Sequence, residues 1–230
     1  MNSDYSDNYA PIQLDGRLRP SKLQMAYKSH QHLQSMKHRR TIRDFAEKKI
    51  PYSVIKNCIR VASLAPSGAN HQPWHFSAIS DKKKKLEIRR AAEKEETRFY
   101  NDMKNEEWLK ALKPLGTDSE KLHLERAPWL IVVFAERYGQ RANGTKYKNF
   151  YVPESVGIAT GFLITALHLA GLYCLVHTPN PMRFLAKICK RPLSNKATLI
   201  LAVGHPEKTA TIPKAATLKK PLKEVLSTFK

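Results

Sequence analysis

The sequence predicts one α+β domain. Long segments with helical periodicity are mixed with short apolar segments typical of strands, and no repeat or linker divides the 230 residues. No GxGxxG motif follows the first predicted strand, which argues against a doubly wound dinucleotide-binding fold. We therefore expect an extended, partly ordered arm over residues 1–20 and a single folded domain over residues 21–230.

The domain is predicted to open with two helices. Apolar residues at helical spacing begin after Ser21 and lead into a basic cluster at residues 37–40. A second helix is expected from residue 52 to about residue 65, with Ser53 as its N-cap and an apolar stripe along one face. A Pro-Ser-Gly sequence ends it.

The middle of the chain is predicted to alternate strands and helices. Residues 74–79 alternate between apolar and polar, and residues 129–135 form a continuous apolar run typical of a strand buried on both faces. Between them we expect a charged helix from residue 84 to about residue 105, preceded by a solvated lysine-rich turn at residues 82–85. Residues 137–149 are polar and basic and are expected to form a loop with an Asn-Gly turn.

The last third of the domain contains an apolar helix and two strands. Residues 154–171 are apolar nearly all round and marginal in length for a membrane span, so we expect a central buried helix. Its small residues indicate close packing on a flat surface, for which a second copy of the chain is one candidate. Residues 173–177 and 198–204 are expected to be buried strands, followed by a basic tail from residue 209.

The chain is strongly basic. It has 40 Lys and Arg against 20 Asp and Glu, a formal net charge of +20. Such a charge favours anionic partners such as nucleic acid, an anionic membrane or a phosphate-bearing ligand, but a solvated basic surface explains it equally simply. No zinc-finger, RNP-like or basic-zipper pattern is present, so we expect neither a specific nucleic acid nor a membrane as partner.

The cysteines and the amino terminus indicate a cytoplasmic protein. Cys58, Cys174 and Cys189 are far apart, form no CxxC motif and lie in apolar contexts, as reduced core residues do. The first residues lack the basic start and apolar stretch of a signal peptide. The histidines show neither HxxxH nor HExxH spacing, so no metal site is predicted.

Two short segments could carry chemistry. Residues 39–43 (RRTIR) place guanidinium groups and a hydroxyl close together, which suits either a phosphate site or a charged helix end. Residues 65–74 (APSGANHQPW) predict a tight loop of small residues that lets a flat ring system approach the backbone.

Together these segments resemble the opening signature of the nitroreductase superfamily, and the resemblance extends over residues 22–226. It implies a nitroreductase-like fold, a central, mostly antiparallel sheet flanked by helices, in an intertwined homodimer with two FMN sites between the subunits. The residues that it assigns to FMN are Arg39, Arg40, Thr41, Arg43, Pro66, Ser67, Gly68, Thr178 and Lys219. Thr178 is the catalytic candidate, because a donor to flavin N5 favours one-electron steps over hydride transfer.

Three later residues resemble the iodotyrosine deiodinase branch of that superfamily. Glu96 and Tyr100 share a helix face, and Lys121 follows at an interval that fits the family. The resemblance implies that they hold the ammonium and carboxylate of a halotyrosine, while the backbone N–H of Ala69 contacts its phenolate. We therefore expect reductive dehalogenation of halotyrosines, with electrons from NAD(P)H directly or through a reductase, in a soluble bacterial-type form.

The chain departs from the family at a few positions. Lys219 stands where an Arg is usual, which keeps the charge but loses the bidentate fork. His177 replaces a small hydroxyl residue, and residues 180–183 look more like a general nitroreductase. We expect His123 and His177 to be structural or flavin-adjacent.

Three alternative functions stay open. A broad NAD(P)H-dependent nitroreductase or quinone reductase would reduce nitroaromatics with little preference for amino acids. A second alternative is the related synthase that destroys a flavin to make the lower ligand of cobalamin. The Glu, Tyr and Lys set argues against it. A basic binding protein for polyanions would be colourless and would bind in a salt-dependent way.

Overall fold

We analysed a computed structural model that describes residues 9–14, 16, 18–101, 106–141 and 143–229. The described residues of the predicted arm carry no helix or strand and are almost all exposed, while residues 1–8, 15 and 17 lie outside the described part. The segment of residues 102–105, which the predicted charged helix included, also lies outside it.

Four strands form one antiparallel sheet in the order β1-β2-β6-β5. The strands are β1 (Trp74–Ile79), β2 (Trp129–Glu136), β5 (Tyr173–His177) and β6 (Asn195–Gly204). Two further strands, β3 (Tyr138–Gln140) and β4 (Lys146–Lys148), form a separate antiparallel hairpin. The segment predicted as a loop over residues 137–149 is therefore a hairpin, and only its Asn-Gly turn was expected, with Gly144 at φ 82° at the tip.

Seven helices are described. They are α1 (Lys22–Lys37), α2 (Tyr52–Ser63), α3 (Lys82–Tyr100), α4 (Glu106–Leu112), α5 (His123–Arg126), α6 (Val152–Leu169) and α7 (Arg183–Ile188). Short 3₁₀ turns lie at Gly68–Asn70, Lys113–Leu115, Lys214–Thr217 and Leu222–Glu224.

The helices cover both faces of the sheet. On β2 the side chains of Leu130, Val132 and Phe134 belong to a core shared with α3, α5 and α7, whereas Ile131 belongs to a core shared with α2 and α6. Alternate residues of one strand thus enter opposite cores, which is why the strand is apolar from Trp129 to Ala135. The prediction of a strand buried on both faces is confirmed.

The N-termini of α2 and α3 differ from two of the predictions. Ser53 is not an N-cap, because α2 begins at Tyr52 after Pro51, whose φ of −58° already suits a helix start. The lysine run at residues 82–85 is not a solvated turn but the first turn of α3, capped by Asp81. Its last member, Lys85, is buried, and its ammonium donates to the carbonyls of Glu125 at 2.9 Å and Ala127 at 2.7 Å.

The helix α6 buries one face only. Its residues Ser155, Val156, Ala159, Thr160, Leu163 and Leu167 are buried, but Ile158, Phe162 and Leu169 are exposed. The helix α6 is long and apolar enough to cross a membrane. Core helices of soluble proteins also meet this criterion of length and composition. Because it packs against α2 and the sheet, the prediction of a core helix holds for one face and fails for the other.

The three cysteines are free, as predicted. Cys58 and Cys174 are buried and Cys189 is half-buried. Burial raises the pKa of the Cys174 thiol to about 11, so this side chain is a core residue rather than a nucleophile.

Candidate active site

A cavity of about 630 Å³ lies between the end of α3, the helix α4, the segment that leads into α5 and the end of β5. It contains five of the predicted site residues together with two histidines. These lining residues are Arg43, Glu96, Tyr100, Lys121, His123, His177 and Thr178.

Glu96 and Lys121 form an ion pair inside this cavity. Lys121 Nζ lies 3.4 Å from Glu96 Oε2, and the two side chains are 6% and 14% exposed. Burial raises the pKa of the Glu96 carboxyl, and the ammonium of Lys121 opposes that shift. A carboxylate and an ammonium therefore face each other where little water reaches them.

The position of Lys121 follows from local contacts. Its backbone N–H donates to Glu93 Oε1 at 2.7 Å, which ties the segment before α5 to α3. Its ammonium also donates to the carbonyl of Asp118 and lies 5.5 Å from the centre of the Tyr100 ring. The segment is thereby held against the helix that carries Glu96 and Tyr100.

Tyr100 lies one helical turn after Glu96. Its hydroxyl is 3.0 Å from Thr117 Oγ1, and burial raises the pKa of the phenol. The hydroxyl is therefore neutral near pH 7 and can donate or accept a hydrogen bond. Trp108 of α4 lies at the same cavity and is 59% exposed.

Two buried histidines lie beneath the ion pair. The rings of His123 and His177 are 5.3 Å apart, edge to face, and the Nε2 atom of each has no hydrogen-bond partner among the described residues. Burial is the main cause that lowers the pKa of each to about 3, and the cations Lys121 and Arg43 contribute to the same shift. Both are neutral near pH 7, and His177 Nε2 lies 3.8 Å from Glu96 Oε1.

One residue of the predicted arginine cluster lies in this cavity and the others lie outside it. Arg43 lines the cavity, where burial lowers the pKa of its guanidinium and Asp44 opposes that shift. Arg39, Arg40 and Thr41 are half-buried and do not line the cavity. Arg40 is held by its own backbone, because its Nη1 donates to the carbonyls of Lys37 and Arg39.

The small-residue loop does not reach the cavity within one chain. Pro66 and Ala69 are exposed, whereas Ser67 and Gly68 are half-buried. The Gly68 N–H donates to Ser155 Oγ at 3.2 Å, which fixes the loop on the start of α6. A Cβ at Gly68 would lie 2.7 Å from the carbonyl oxygen of Phe150, so only glycine allows this approach.

Lys219 is exposed in the tail, and its ammonium donates to the carbonyl of Ala216 at 3.3 Å. It does not line the cavity. Thr178 is exposed at the carboxyl end of β5, at the cavity edge. Across the described ranges, no group of three or more His, Cys, Asp or Glu could hold a metal ion.

Some contributors to the site could not be found in the sequence. Thr117 has no motif of its own, and only the fold brings it to the Tyr100 hydroxyl. The pairing of His123 with His177 joins α5 to β5 across more than fifty residues. Their apolar neighbours were the only sequence signal for their burial.

The model of the nitroreductase family matches residues 36–205, most of the folded domain. The chain belongs to the nitroreductase family. The nitroreductase-like fold predicted from the sequence, with an antiparallel sheet flanked by helices, is confirmed.

Individual nitroreductase-family relatives are more specific. The chain is 51% identical over 190 residues to an iodotyrosine deiodinase of Haliscomenobacter hydrossis, covering 83% of this chain and 86% of the relative. It is 37% identical over 206 residues to the iodotyrosine deiodinase 1 of Homo sapiens, covering 89% of this chain and 71% of that protein.

Two solved structures have folds similar to that of this chain. A crystal structure of oxidized iodotyrosine deiodinase bound to FMN and 3-iodo-L-tyrosine matches with a TM-score of 0.70 at 33% identity, covering 86% of this chain and 98% of that chain. A BluB-like flavoprotein from Clostridium difficile has a TM-score of 0.66 at 20% identity, covering 86% and 98%, and shares the fold.

Proposed function

We propose that this chain is an FMN-dependent oxidoreductase that removes halogen reductively from halotyrosines. The convergence of Glu96, Tyr100 and Lys121 in one cavity with Thr178 carries this proposal. The similarity to iodotyrosine deiodinases over most of the chain supports it.

The cavity offers the charges that a free amino acid requires. An α-ammonium needs an anion, which Glu96 supplies, and an α-carboxylate needs a cation, which Lys121 supplies. The Tyr100 hydroxyl can serve either group, since its phenol is neutral. The ion pair between Glu96 and Lys121 exchanges partners with the zwitterion, so each charge stays matched in a poorly hydrated site.

Several residues fit the FMN cofactor. The guanidinium groups of Arg39, Arg40 and Arg43 suit a phosphate, with the Thr41 hydroxyl beside the ribityl chain. Pro66, Ser67 and Gly68 would lie against the flavin ring, and the exposed Thr178 hydroxyl would donate to its N5. Lys219 adds a cation for the phosphate without the fork of an Arg.

The chemistry is a two-electron reduction. FMN in its reduced form supplies the electrons, one at a time. The carbon–halogen bond breaks, a carbon–hydrogen bond forms with a proton from solvent, and the halogen leaves as halide. Glu96, Tyr100 and Lys121 would orient the substrate beside the cofactor, and Trp108 and Leu112 of α4, which line the same cavity, would help to exclude water.

The complete site requires a second copy of the chain. The loop at residues 66–69 lies apart from the cavity, although the proposed function needs both at one flavin. The exposed apolar residues of α6, Ile158 and Phe162, and the exposed Leu23 and Leu33 of α1 suit a large interface. A homodimer in which each copy supplies part of each site accounts for both features. NAD(P)H, directly or through a reductase, is the expected donor, and the cytoplasm is the expected location.

Product analysis tests the proposed function. The FMN-loaded protein is reduced anaerobically with dithionite and mixed with 3-iodotyrosine, and iodide and tyrosine are measured. We expect one iodide and one tyrosine for each two electrons consumed. A protein that reduces nitroaromatics rapidly but releases no iodide is a general nitroreductase, and a protein that takes up no FMN contradicts the proposal entirely.

A further inference from the structure

The loop that carries Ala69 has an unfavourable backbone. Ala69, Asn70 and Gln72 have φ angles of 50°, 52° and 50°, in the left-handed region that residues with a Cβ avoid. Such a conformation persists only where the surrounding structure enforces it, and it is common where a backbone group must point at a ligand. The contacts that enforce it therefore determine where the Ala69 N–H points.

Two hydroxyls anchor the ends of the loop. The Gly68 N–H donates to Ser155 Oγ at 3.2 Å, and the Gln72 N–H donates to Ser67 Oγ at 2.9 Å. The His71 N–H donates to the Gly68 carbonyl at 3.0 Å. These bonds close the turn, and just after it the Glu136 N–H of β2 donates to the Pro73 carbonyl at 3.0 Å.

A side-chain link between the loop and the sheet runs through Asn149. His71 Nδ1 lies 3.0 Å from Asn149 Oδ1, and Asn149 Nδ2 donates to the carbonyl of Glu136 at 2.7 Å. Asn149 is 5% exposed, and its N–H donates to the carbonyl of Arg137 at 3.0 Å. Asn149 thus adds a buried side-chain link between the strained loop and the end of the central strand β2.

The hydrogen-bond directions follow from the chemistry of the groups. The Glu136 carbonyl can only accept, so the amide nitrogen of Asn149 faces it and the amide oxygen faces His71. His71 must therefore donate through Nδ1. Its ring is also held by the hairpin, 5.1 Å from the Tyr147 ring and 5.9 Å from the Phe150 ring.

We propose that Asn149 is a positioning residue that acts through His71 to aim the backbone N–H of Ala69 at the substrate phenolate. The inference rests on the proposed function, in which that N–H binds the phenolate. A hydrogen bond to an anion is strong only when the donor points at it, so a loop free to relax toward ordinary backbone angles loses that bond. Asn149 then governs the preference for the ionised phenol rather than the grip on the amino-acid end.

The experiment measures that preference directly. FMN-loaded wild-type protein and the variants Asn149→Ala, His71→Ala and the double variant are titrated with 3-iodotyrosine by flavin fluorescence, at pH values below and above the ionisation of the ligand phenol. We expect wild-type affinity to rise as the phenol ionises. Each variant should bind the phenolate about tenfold or more weakly and the neutral phenol with a smaller loss, since a hydrogen bond to a charged group is the interaction removed.

Three controls keep the inference specific. The double variant should lose no more affinity than either single variant, because the two residues act in series. His71→Asn places an amide N–H close to where Nδ1 stood and should restore part of the phenolate affinity. Asn143→Ala changes another asparagine of the same hairpin, whose Oδ1 accepts from the N–H and hydroxyl of Thr145, and should bind as wild type does.

Several outcomes would overturn the inference. Additive losses, or an equal loss at every pH, would make Asn149 a residue of general stability. Wild-type affinity in His71→Ala, which changes a half-buried side chain and serves if Asn149→Ala does not fold, would remove the connection. If the wild-type protein itself fails to bind 3-iodotyrosine, the proposed function falls and this inference with it, whereas wild-type binding with unaffected variants refutes the inference alone.

Discussion

Lys121 Nζ lies 3.4 Å from Glu96 Oε2, with both side chains almost out of contact with solvent. Two opposite charges from segments twenty-five residues apart thus meet at the edge of one cavity. A buried ion pair is a weak device for stability, because the desolvation of both charges offsets their attraction. Its position is better explained by function, since it presents an anion and a cation to the two ends of an amino acid.

Replacing Glu96 should separate substrate binding from cofactor binding. In Glu96→Gln the α-ammonium loses its anion, so we expect 3-iodotyrosine to bind about tenfold or more weakly while FMN is retained. Glu95→Gln is the matched control, because Glu95 lies on the same helix and, among the described residues, forms an ion pair with the exposed Arg98 alone. Equal losses of affinity in both variants would remove Glu96 from the site. Flavin fluorescence measures both affinities.

Replacing Thr178 should affect turnover more than binding. Thr178→Ala removes the proposed donor to flavin N5, so we expect slower halide release with 3-iodotyrosine affinity within about threefold of wild type. Nitroaromatic reduction by hydride transfer should fall less, since it does not rely on one-electron steps. Stopped-flow measurement of flavin reoxidation compares the two reactions, and unchanged dehalogenation would refute the role of Thr178.

The buried histidines predict loss of stability in acid. The pKa values of His123 and His177 are about 3 in the fold, against 6.5 for a free side chain. Between those pH values the unfolded chain binds more protons than the folded chain does. The contribution of the two histidines to the free energy of unfolding is therefore fully present above about pH 6.5 and is lost as the pH falls toward 3. His177→Gln should weaken this dependence in denaturant unfolding from pH 7 to pH 4, whereas His38→Gln, at an exposed position, should not.

Lys85 should matter for stability although it lies in a lysine run. In Lys85→Ala the carbonyls of Glu125 and Ala127 lose their buried donor, so we expect the free energy of unfolding to fall by about 2 kcal/mol or more. Lys83→Ala removes an exposed lysine of the same turn and should change it by less than about 0.5 kcal/mol. Urea unfolding measures the free energy in each variant. Similar effects of the two substitutions would contradict the role of Lys85 as a buried donor.

Elements with a strong local pattern could be predicted from the sequence. The strand β2 is apolar from Trp129 to Ala135 because both its faces are buried, and α2 carries a clear apolar stripe. The helices α4 and α7 have only seven and six residues, too few to show a helical period. The strands β3 and β4 have three residues each and exist because they pair with each other, which no single segment reveals.

The site residues, too, could be predicted where a sequence pattern marks them and not where distant segments meet. The resemblance to a family indicated Glu96, Tyr100 and Lys121, and the fold brings all three to one cavity. Chain positions alone could not reveal that Asn149 meets His71 or that His123 meets His177, because each contact joins segments that are distant in sequence. The burial of Lys85 was missed for the same reason, since its partners lie forty residues further along the chain.

A titration of 3-iodotyrosine and 2-iodophenol into the FMN-loaded wild-type protein and Lys121→Ala tests the central claim most directly, with flavin fluorescence as the readout. We predict that wild-type protein binds 3-iodotyrosine at least tenfold more tightly than 2-iodophenol, because only the amino acid engages Glu96 and Lys121, and that Lys121→Ala loses most of that difference while keeping FMN. Equal affinities for the two ligands in the wild-type protein, or an unchanged preference in Lys121→Ala, would contradict the claim that this cavity recognises the amino-acid end of a halotyrosine.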